Sequence, residues 1–410
     1  MLQYRGMLMR TLIILLITLI TFASVAVAQS KKDKVEIGVQ STSLTVFSPD
    51  FPFDETKAGV GGRVTYNFNR SIAAEAEINF FPQKQLVLEA DGSSIQAQFG
   101  VKIGKRFEKF GVFGKVRPGF VSANRVFSVV PGSQVPDFPV KIERKTFFTT
   151  DFGGVLELYP SSRMVVRFDA GDTAIRHPAR FGLLDFSGPV VLVRPAKFSH
   201  NFQFTAGVAF RLGDFPDEEP DAKTSDDRTK RFEVGAQFTS LFVKPSNSQG
   251  SLFFPRIHTE PGFGGRVTFN LTESIAFEAE GNYFTREQFS FPEGGKMFQG
   301  QFGGKIGKRF DRWGVFGKAR PGFVGFSRVL QNPFGVQTGP LSFVRRLYPS
   351  IDVGGVVEFY MSPRLMARFD VGDTIIRYGE IRFPGIAPSF TVPSVTRHNL
   401  QLSSGIGFRF

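Results

Sequence analysis

Only His200 and His398, of four histidines, occupy matching places in the two halves of this chain, and each has a serine close by in sequence, Ser199 or Ser403. A histidine base beside a serine is the smallest pair that can attack an ester bond, so lipid cleavage is the first chemistry to test. No orienting acid or second motif accompanies either pair. The competing reading is a polar residue near the rim of a strand. The run Gly303-Gly304-Lys305-Ile306-Gly307-Lys308 has the glycines and lysine of a phosphate cradle, but no Ser or Thr follows and the run alternates like a strand. Its glycines read as small residues that let long neighbours cross a crowded interior. Asp169 and Asp172, repeated as Asp370 and Asp373, would offer oxygen ligands to a cation, yet Arg167 and Arg176 stand close enough to favour ion pairing. With no cysteine there is neither a thiolate metal site nor a disulfide framework. The expectation is a protein without catalytic centre, cofactor or metal.

The abundant chemistry is ionic. On alternate positions of successive segments stand the acids Glu36, Glu75, Glu77, Asp151, Glu157 and Asp169 and the bases Arg63, Lys102, Lys115, Arg117, Arg167 and Arg211. All twelve recur in type as Glu233, Glu278, Glu280, Asp352, Glu358 and Asp370 with Arg266, Lys305, Lys318, Arg320, Arg368 and Arg409. The intervening apolar positions have drifted, Ala74 becoming Phe277 and Val116 becoming Ala319. Charge identity is kept while the other face is free to vary, as expected of ions enclosed together that must neutralise one another.

The elements that position these charges follow from a tandem duplication, with copies at about 35–212 and 232–410. Gly61-Gly62-Arg63-Val64-Thr65 returns as Gly264-Gly265-Arg266-Val267-Thr268, and Gly104-Lys105-Arg106-Phe107 as Gly307-Lys308-Arg309-Phe310. Period-two alternation predicts eight strands per copy, in the first near 35–47, 59–69, 72–82, 95–107, 110–127, 147–160, 163–176 and 200–212. Tight turns at 69–71, 108–109 and 160–162 alternate with long connections at 48–58, 83–94, 128–146 and 177–199. Short turns on one side and long loops on the other are the mark of a transmembrane β-barrel with its loops outside. The alternative that period alone leaves open is an exported soluble barrel with the charges in water.

Residues 1–28 carry Arg5 and Arg10, an apolar run from Leu12 to Val27 and Ala26-Val27-Ala28, the layout of a cleaved export signal, with an uncleaved helical anchor as the alternative. Removing those two arginines from the net charge of +13 leaves +11, but an exported protein rarely meets nucleic acid, so none is expected as partner. The chain holds 50 Phe against one Trp and seven Tyr, with 44 Gly, so apolar residues must be interleaved with polar ones. Segment 213–230, with seven acidic and three basic residues and two prolines, has the composition of a flexible linker between the repeats at 29–212 and 231–410.

Leu400, Leu402, Ser404, Ile406, Phe408 and Phe410 alternate to a terminal Phe. In this the chain resembles the outer-membrane β-barrel family, nearest to its small OmpA-like and OmpX-like, porin-type members. The resemblance spans each copy through strand number, loop asymmetry and the closing aromatic, although the first copy closes on Leu212 and the family ordinarily has one barrel. It implies an all-β fold, the outer membrane of a Gram-negative-type bacterium, a charged interior, and recognition of Phe408 and Phe410 by the barrel-insertion machinery. Sixteen strands close as two eight-stranded antiparallel up-and-down barrels or as one sixteen-stranded barrel. A polar 18-residue connection and cancelling lumen charges favour two. Three functions stay open: a non-enzymatic barrel serving envelope structure or surface binding, a diffusion channel for small polar solutes, and a lipid-modifying enzyme. Outer-membrane lipid and lipopolysaccharide are the expected partners, the latter through loop cations Lys141, Arg144, Lys145, Arg180, Arg194, Lys197, Arg345, Arg346 and Arg382. The ligand of the loops is unknown.

Overall fold

The computed structural model describes residues 35–47, 54–82, 91–129, 140–183, 190–212, 230–246, 258–289, 292–331, 342–383 and 390–410. The expected signal at 1–28 and all but the last residue of the linker lie outside them.

In the first repeat β1 (Val35–Phe47), β2 (Asp54–Asn67), β3 (Ile72–Phe81), β4 (Asp91–Arg106), β5 (Phe110–Val129), β6 (Val140–Ser161) and β7 (Met164–His177) pair antiparallel in sequence order. A hairpin of β8 (Arg180–Leu183) and β9 (Val190–Arg194) stands apart from the ring. The eighth stave is β10 (Lys197–Ser199) followed by β11 (Phe202–Leu212), both paired with β7 and interrupted at His200-Asn201. Closure comes from β11 on β1, with Glu36 opposite Arg211.

The second repeat forms its own closed ring from β12 (Phe232–Val243), β13 (His258–Asn270), β14 (Ile275–Phe289), β15 (Glu293–Arg309), β16 (Trp313–Leu330), β17 (Phe343–Tyr360), β18 (Leu365–Tyr378) and the last strand. Between β18 and that strand lies the hairpin of β19 (Ile381–Phe383) and β20 (Phe390–Val392), and β21 (Val395–Arg409) is unbroken. Glu233 faces Arg409, and Phe410 N–H donates to Phe232 O at 2.8 Å, so the ring is sealed at the chain's last residue. These are two eight-stranded barrels, and the single sixteen-stranded ring is excluded.

The short turns are shaped by side chains that satisfy the backbone where the ladder stops. Asn69 accepts from the N–H groups of Ser71 and Ile72 at 2.8 Å, and Thr272 does the same for Ser274 and Ile275. On the opposite side the strands run further than alternation alone suggests. Pairing continues to Asp54 in β2, to Asp91 in β4 and, between β5 and β6, to Val129 opposite Val140. Alternation fades there because no apolar environment demands it, but backbone groups still prefer a partner strand. The cations expected on loops consequently stand on these extensions or on the small hairpins.

Orientation is unambiguous. Val39, Phe99, Ile103, Val116 and Phe210 in one barrel, and Phe277, Phe302, Ile306 and Phe408 in the other, are exposed on the outside, whereas the ionic residues are buried inside. This excludes the soluble alternative with charges in water. Aromatic pairs gather at the short-turn end: Phe107 stacks on Phe110 with ring centroids 4.6 Å apart, and Phe310 on Trp313 at 4.3 Å. Such a girdle is the usual inner boundary of a lipid-facing belt.

Candidate functional site: the filled lumen

Three layers fill each barrel from the short-turn end outward. At the mouth Glu36 accepts from Arg211 Nε at 3.2 Å, Asn67 Nδ2 at 3.1 Å and Arg106 Nη2 at 3.4 Å. Arg211 lies over the Tyr159 ring at 4.4 Å, and Tyr159 O–H donates to Glu157 at 2.9 Å. Above this Lys102 pairs with Glu157 and stands 3.3 Å from Glu75. Arg167 forks between Glu75 and Asp169, its Nη2 reaching each at 2.9 Å. Lys115 lies 2.8 Å from Asp151 and 3.5 Å from Asp169, while Arg117 holds Asp151 and Glu77, each at 2.6 Å.

The second barrel repeats the set. Arg368 forks between Glu278 and Asp370, Lys305 meets Glu358, Lys318 meets Asp352 at 2.7 Å, Arg320 bridges Asp352 and Glu280, and Arg409 reaches Glu233 at 3.1 Å. Of the 24 ionic residues read from the sequence, all are buried except Arg409, whose side chain is 10% exposed.

Two details differ from the sequence reading. Arg63 and Arg266 are buried but donate to the Gln40 and Gln237 amides, at 3.1 and 3.0 Å, instead of entering the ion-pair set. Arg106 and Arg309 join the ion-pair set in their place, so six bases per copy still meet acids and the buried Arg63 or Arg266 is a seventh base of the lumen. Arg106 and Arg309 belong to the inward phase of their strands, two steps beyond Gly104 and Gly307, and sit at the mouth with side chains 11% and 14% exposed. There water can share in compensating the extra charge.

Next comes a layer of amides and hydroxyls. Asn79 Nδ2 donates to Glu77 and to Gln96, both at 3.0 Å, Gln96 Nε2 to Gln203 at 2.8 Å, and Thr173 to the same Gln203 oxygen at 2.8 Å. Asn282, Gln299, Gln401 and Thr374 form the counterpart chain. The outer layer is apolar: in the second barrel Leu241, Phe284, Met297, Val324, Phe326, Tyr348, Ile376 and Tyr378 form one buried cluster inside the ring. Leu44, Phe81, Val121 and Ile175 occupy the equivalent inward positions of the first. The expected charged interior thus occupies only part of the barrel's height.

The other sequence candidates separate. Ser199 is buried and bonded to His177 Nε2 at 2.8 Å, whereas the neighbouring His200 projects outward and holds Asp172 at 2.5 Å. Ser403 is buried in the second lumen, bonded to Thr239 at 2.9 Å, and His398 holds Asp373 at 2.6 Å on the outer face. Neither serine can reach its histidine, because side chains alternate across the strand. The same alternation separates Asp169 from Asp172, and no group of three or more potential metal ligands occurs among the described residues. The histidine-aspartate pairs are mostly solvated, so His200→Ala is expected to change the urea midpoint by less than about 1 kcal/mol equivalent. A larger loss would reveal a role for that pair beyond the rim.

The glycine-rich run also has a different explanation. A Cβ at Gly303 would lie 2.7 Å from Arg320 Cα, and one at Gly307 2.5 Å from Phe316 Cα. The backbone of β16, not a set of long side chains, is what leaves no room.

Residues 13–210 match the family described as outer membrane protein beta-barrel domain. No curated protein matches the chain. Among solved structures, the N-terminal β-barrel domain of Pseudomonas aeruginosa OprF is 10% identical at a TM-score of 0.27, covering 44% of this chain and 100% of its own. Ail, the attachment invasion locus protein of Yersinia pestis, is 15% identical at 0.29, covering 44% and 99%. The Pseudomonas putida toluene transporter TodX is 9% identical at 0.24, covering 93% and 91%. The first repeat thus matches the outer-membrane β-barrel domain family, and the second repeat folds as a further copy of the same barrel.

Proposed function

We propose that the protein is a non-enzymatic, non-conducting pair of outer-membrane barrels that serves envelope structure and presents its outer extensions at the cell surface. The filled lumen carries this reading. An ion leaving the charged layer of the second barrel would have to cross the amide layer and then an apolar cluster with no hydrated wall, and removing a charge from water into such a medium costs many kcal/mol. Reconstituted into planar bilayers, the full chain is expected to give no large, steady conductance step. Stable openings would reinstate the diffusion channel.

The surface role rests on the cations. Arg345, Arg346 and Arg377 line an open cleft of about 570 Å³ at the outer end of the second barrel, and guanidinium groups match phosphate oxygens in geometry and charge. Lipopolysaccharide is the partner this chemistry fits. Phe408 and Phe410, exposed on the closing strand, serve in this reading as the signal to the insertion machinery. Residues 1–28 act as the cleaved export signal in a Gram-negative-type cell, and 213–230 is the tether.

A further inference from the structure

Several outward-facing residues are buried or half-buried although they point away from both lumens, and they stand at matching positions of the two repeats. Phe168 and Phe369 are counterparts in the duplication, and their rings stack on each other at 6.0 Å with an interplanar angle of 6°. Ala206 lies opposite Phe168 in the ladder, and Ser404 lies opposite Phe369; both are buried. Further out, Ser43 and its counterpart Ser240 are each 5% exposed, and Thr56 and Thr259 are 0% exposed. The strands that carry the threonines, β2 and β13, are themselves counterparts and are in contact.

In a tilted-strand barrel, a line rising along the barrel axis crosses successive staves. Phe168 on β7, Ala206 on β11, Ser43 on β1 and Thr56 on β2 follow such a line, and Phe369, Ser404, Ser240 and Thr259 follow the matching one. In a two-fold contact only residues on the axis meet their own copies. Two matching lines of counterparts, all buried except the half-buried Phe369, with one pair of parallel rings in contact, are therefore the signature of an approximate two-fold axis between the barrels. On either side the contact continues as one apolar cluster drawn from both repeats, with Leu158 and Val166 from one and Phe359 and Ala367 from the other.

We propose that the two barrels stay joined in the membrane as a fused dimer, each repeat docking on its own copy through this seam rather than floating on a tether. The partner of each repeat is thus the other repeat. Lipid is as apolar as the side chains it would displace, so burial alone gives little drive there, and close approach over small residues must supply the attraction. Alanine and serine at the centre of the seam meet that need. The tip of the seam is closed by the Thr45 to Thr56 hydroxyl bond at 2.8 Å, which keeps both polar groups satisfied away from water.

The chain lacks cysteine, so introduced pairs report cleanly. The full chain, with a protease site placed within 213–230, is prepared as Thr56→Cys with Thr259→Cys on the seam. A second form carries Phe99→Cys with Phe302→Cys, counterparts that face lipid elsewhere. Each is oxidised in native membranes, cut, and run without reductant, while heat-modifiable migration of a reduced sample shows that both barrels are folded. Recovery of the halves as one band is expected to be at least tenfold higher for the seam pair, and to fall to the control level when Ser43→Trp and Ser240→Trp are added. Equal yields for the two pairs would overturn the proposal, as would a seam yield that survives folded tryptophan variants. The comparison of the two pairs decides the matter even if the tryptophan chain fails to insert.

Discussion

Arg368→Ala is expected to lower the unfolding free energy of the second barrel by about 3–5 kcal/mol, the usual cost of stranding buried charge, seen as a clear drop in its urea midpoint in detergent. The guanidinium is 1% exposed and, among the described residues, is the only group that touches both Glu278 and Asp370 with paired hydrogen bonds. Without it Glu278 keeps Lys305 at 3.4 Å and Arg320 at 3.5 Å, and Asp370 keeps Lys318 at 3.3 Å and Arg320 at 3.6 Å, all at longer range. Two carboxylates then share cations that already serve Glu358, Asp352 and Glu280. Water cannot replace the lost donors, because the amide and apolar layers close the outer side. Arg167→Ala is expected to do the same to the first barrel, where Glu75 and Asp169 take the corresponding places. An unchanged midpoint for both variants would mean that the network does not hold the barrels together.

The second large effect is expected from Gly303→Val, or Gly100→Val in the other repeat. Each glycine faces a stretch where the ladder is interrupted: between β15 and β16 the pairing runs from Gln301 opposite Gly322 to Gly304 opposite Ala319, and the gap contains Pro321. Between β4 and β5 the gap contains Pro118. Proline has no N–H to give, and the glycine lets the two backbones close up where that bond is missing. A Cβ at either position would sit 2.7 Å from the Cα of the arginine before the proline, Arg320 or Arg117. Backbone cannot step aside as a flexible side chain would, so the strand must bend outward and closure is lost. A cost of about 4 kcal/mol or more is expected, enough to remove most of the heat-modifiable folded form from membranes. Wild-type folded yield with either valine would show that the strands separate there at no cost.

Much of this architecture can be read from residue order because one face of every stave must be apolar and the other must not. The pattern of Ile95, Ala97, Phe99, Val101 and Ile103 against Gln96, Gln98 and Lys102 fixes the phase of β4, and the charges at matching positions of the repeats show which face is enclosed. What escapes that reasoning is whatever leaves the two-letter pattern intact. Arg106 was one more inward residue at a strand end, where a turn is equally plausible. Phe284, Met297 and Val324 are apolar on the face that is elsewhere polar, a sign of a capped lumen but one that looks like lapse of phase in a single sequence. The seam is harder still, since Phe168 pointing at lipid and Phe168 pointing at another barrel obey the same alternation. Polar residues on a face otherwise suited to hydrocarbon, Ser43 and Thr56 with their counterparts Ser240 and Thr259, are the available hint.

The stacked pair Phe310 and Trp313 at the inner girdle has a practical outcome. Trp313 is the chain's single tryptophan, so indole emission will register insertion and melting of the C-terminal cylinder and stay silent about its neighbour. A spectroscopist following intrinsic fluorescence will therefore watch half of the molecule, and a second chromophore introduced at Phe107, the equivalent of Phe310, would make the other half visible.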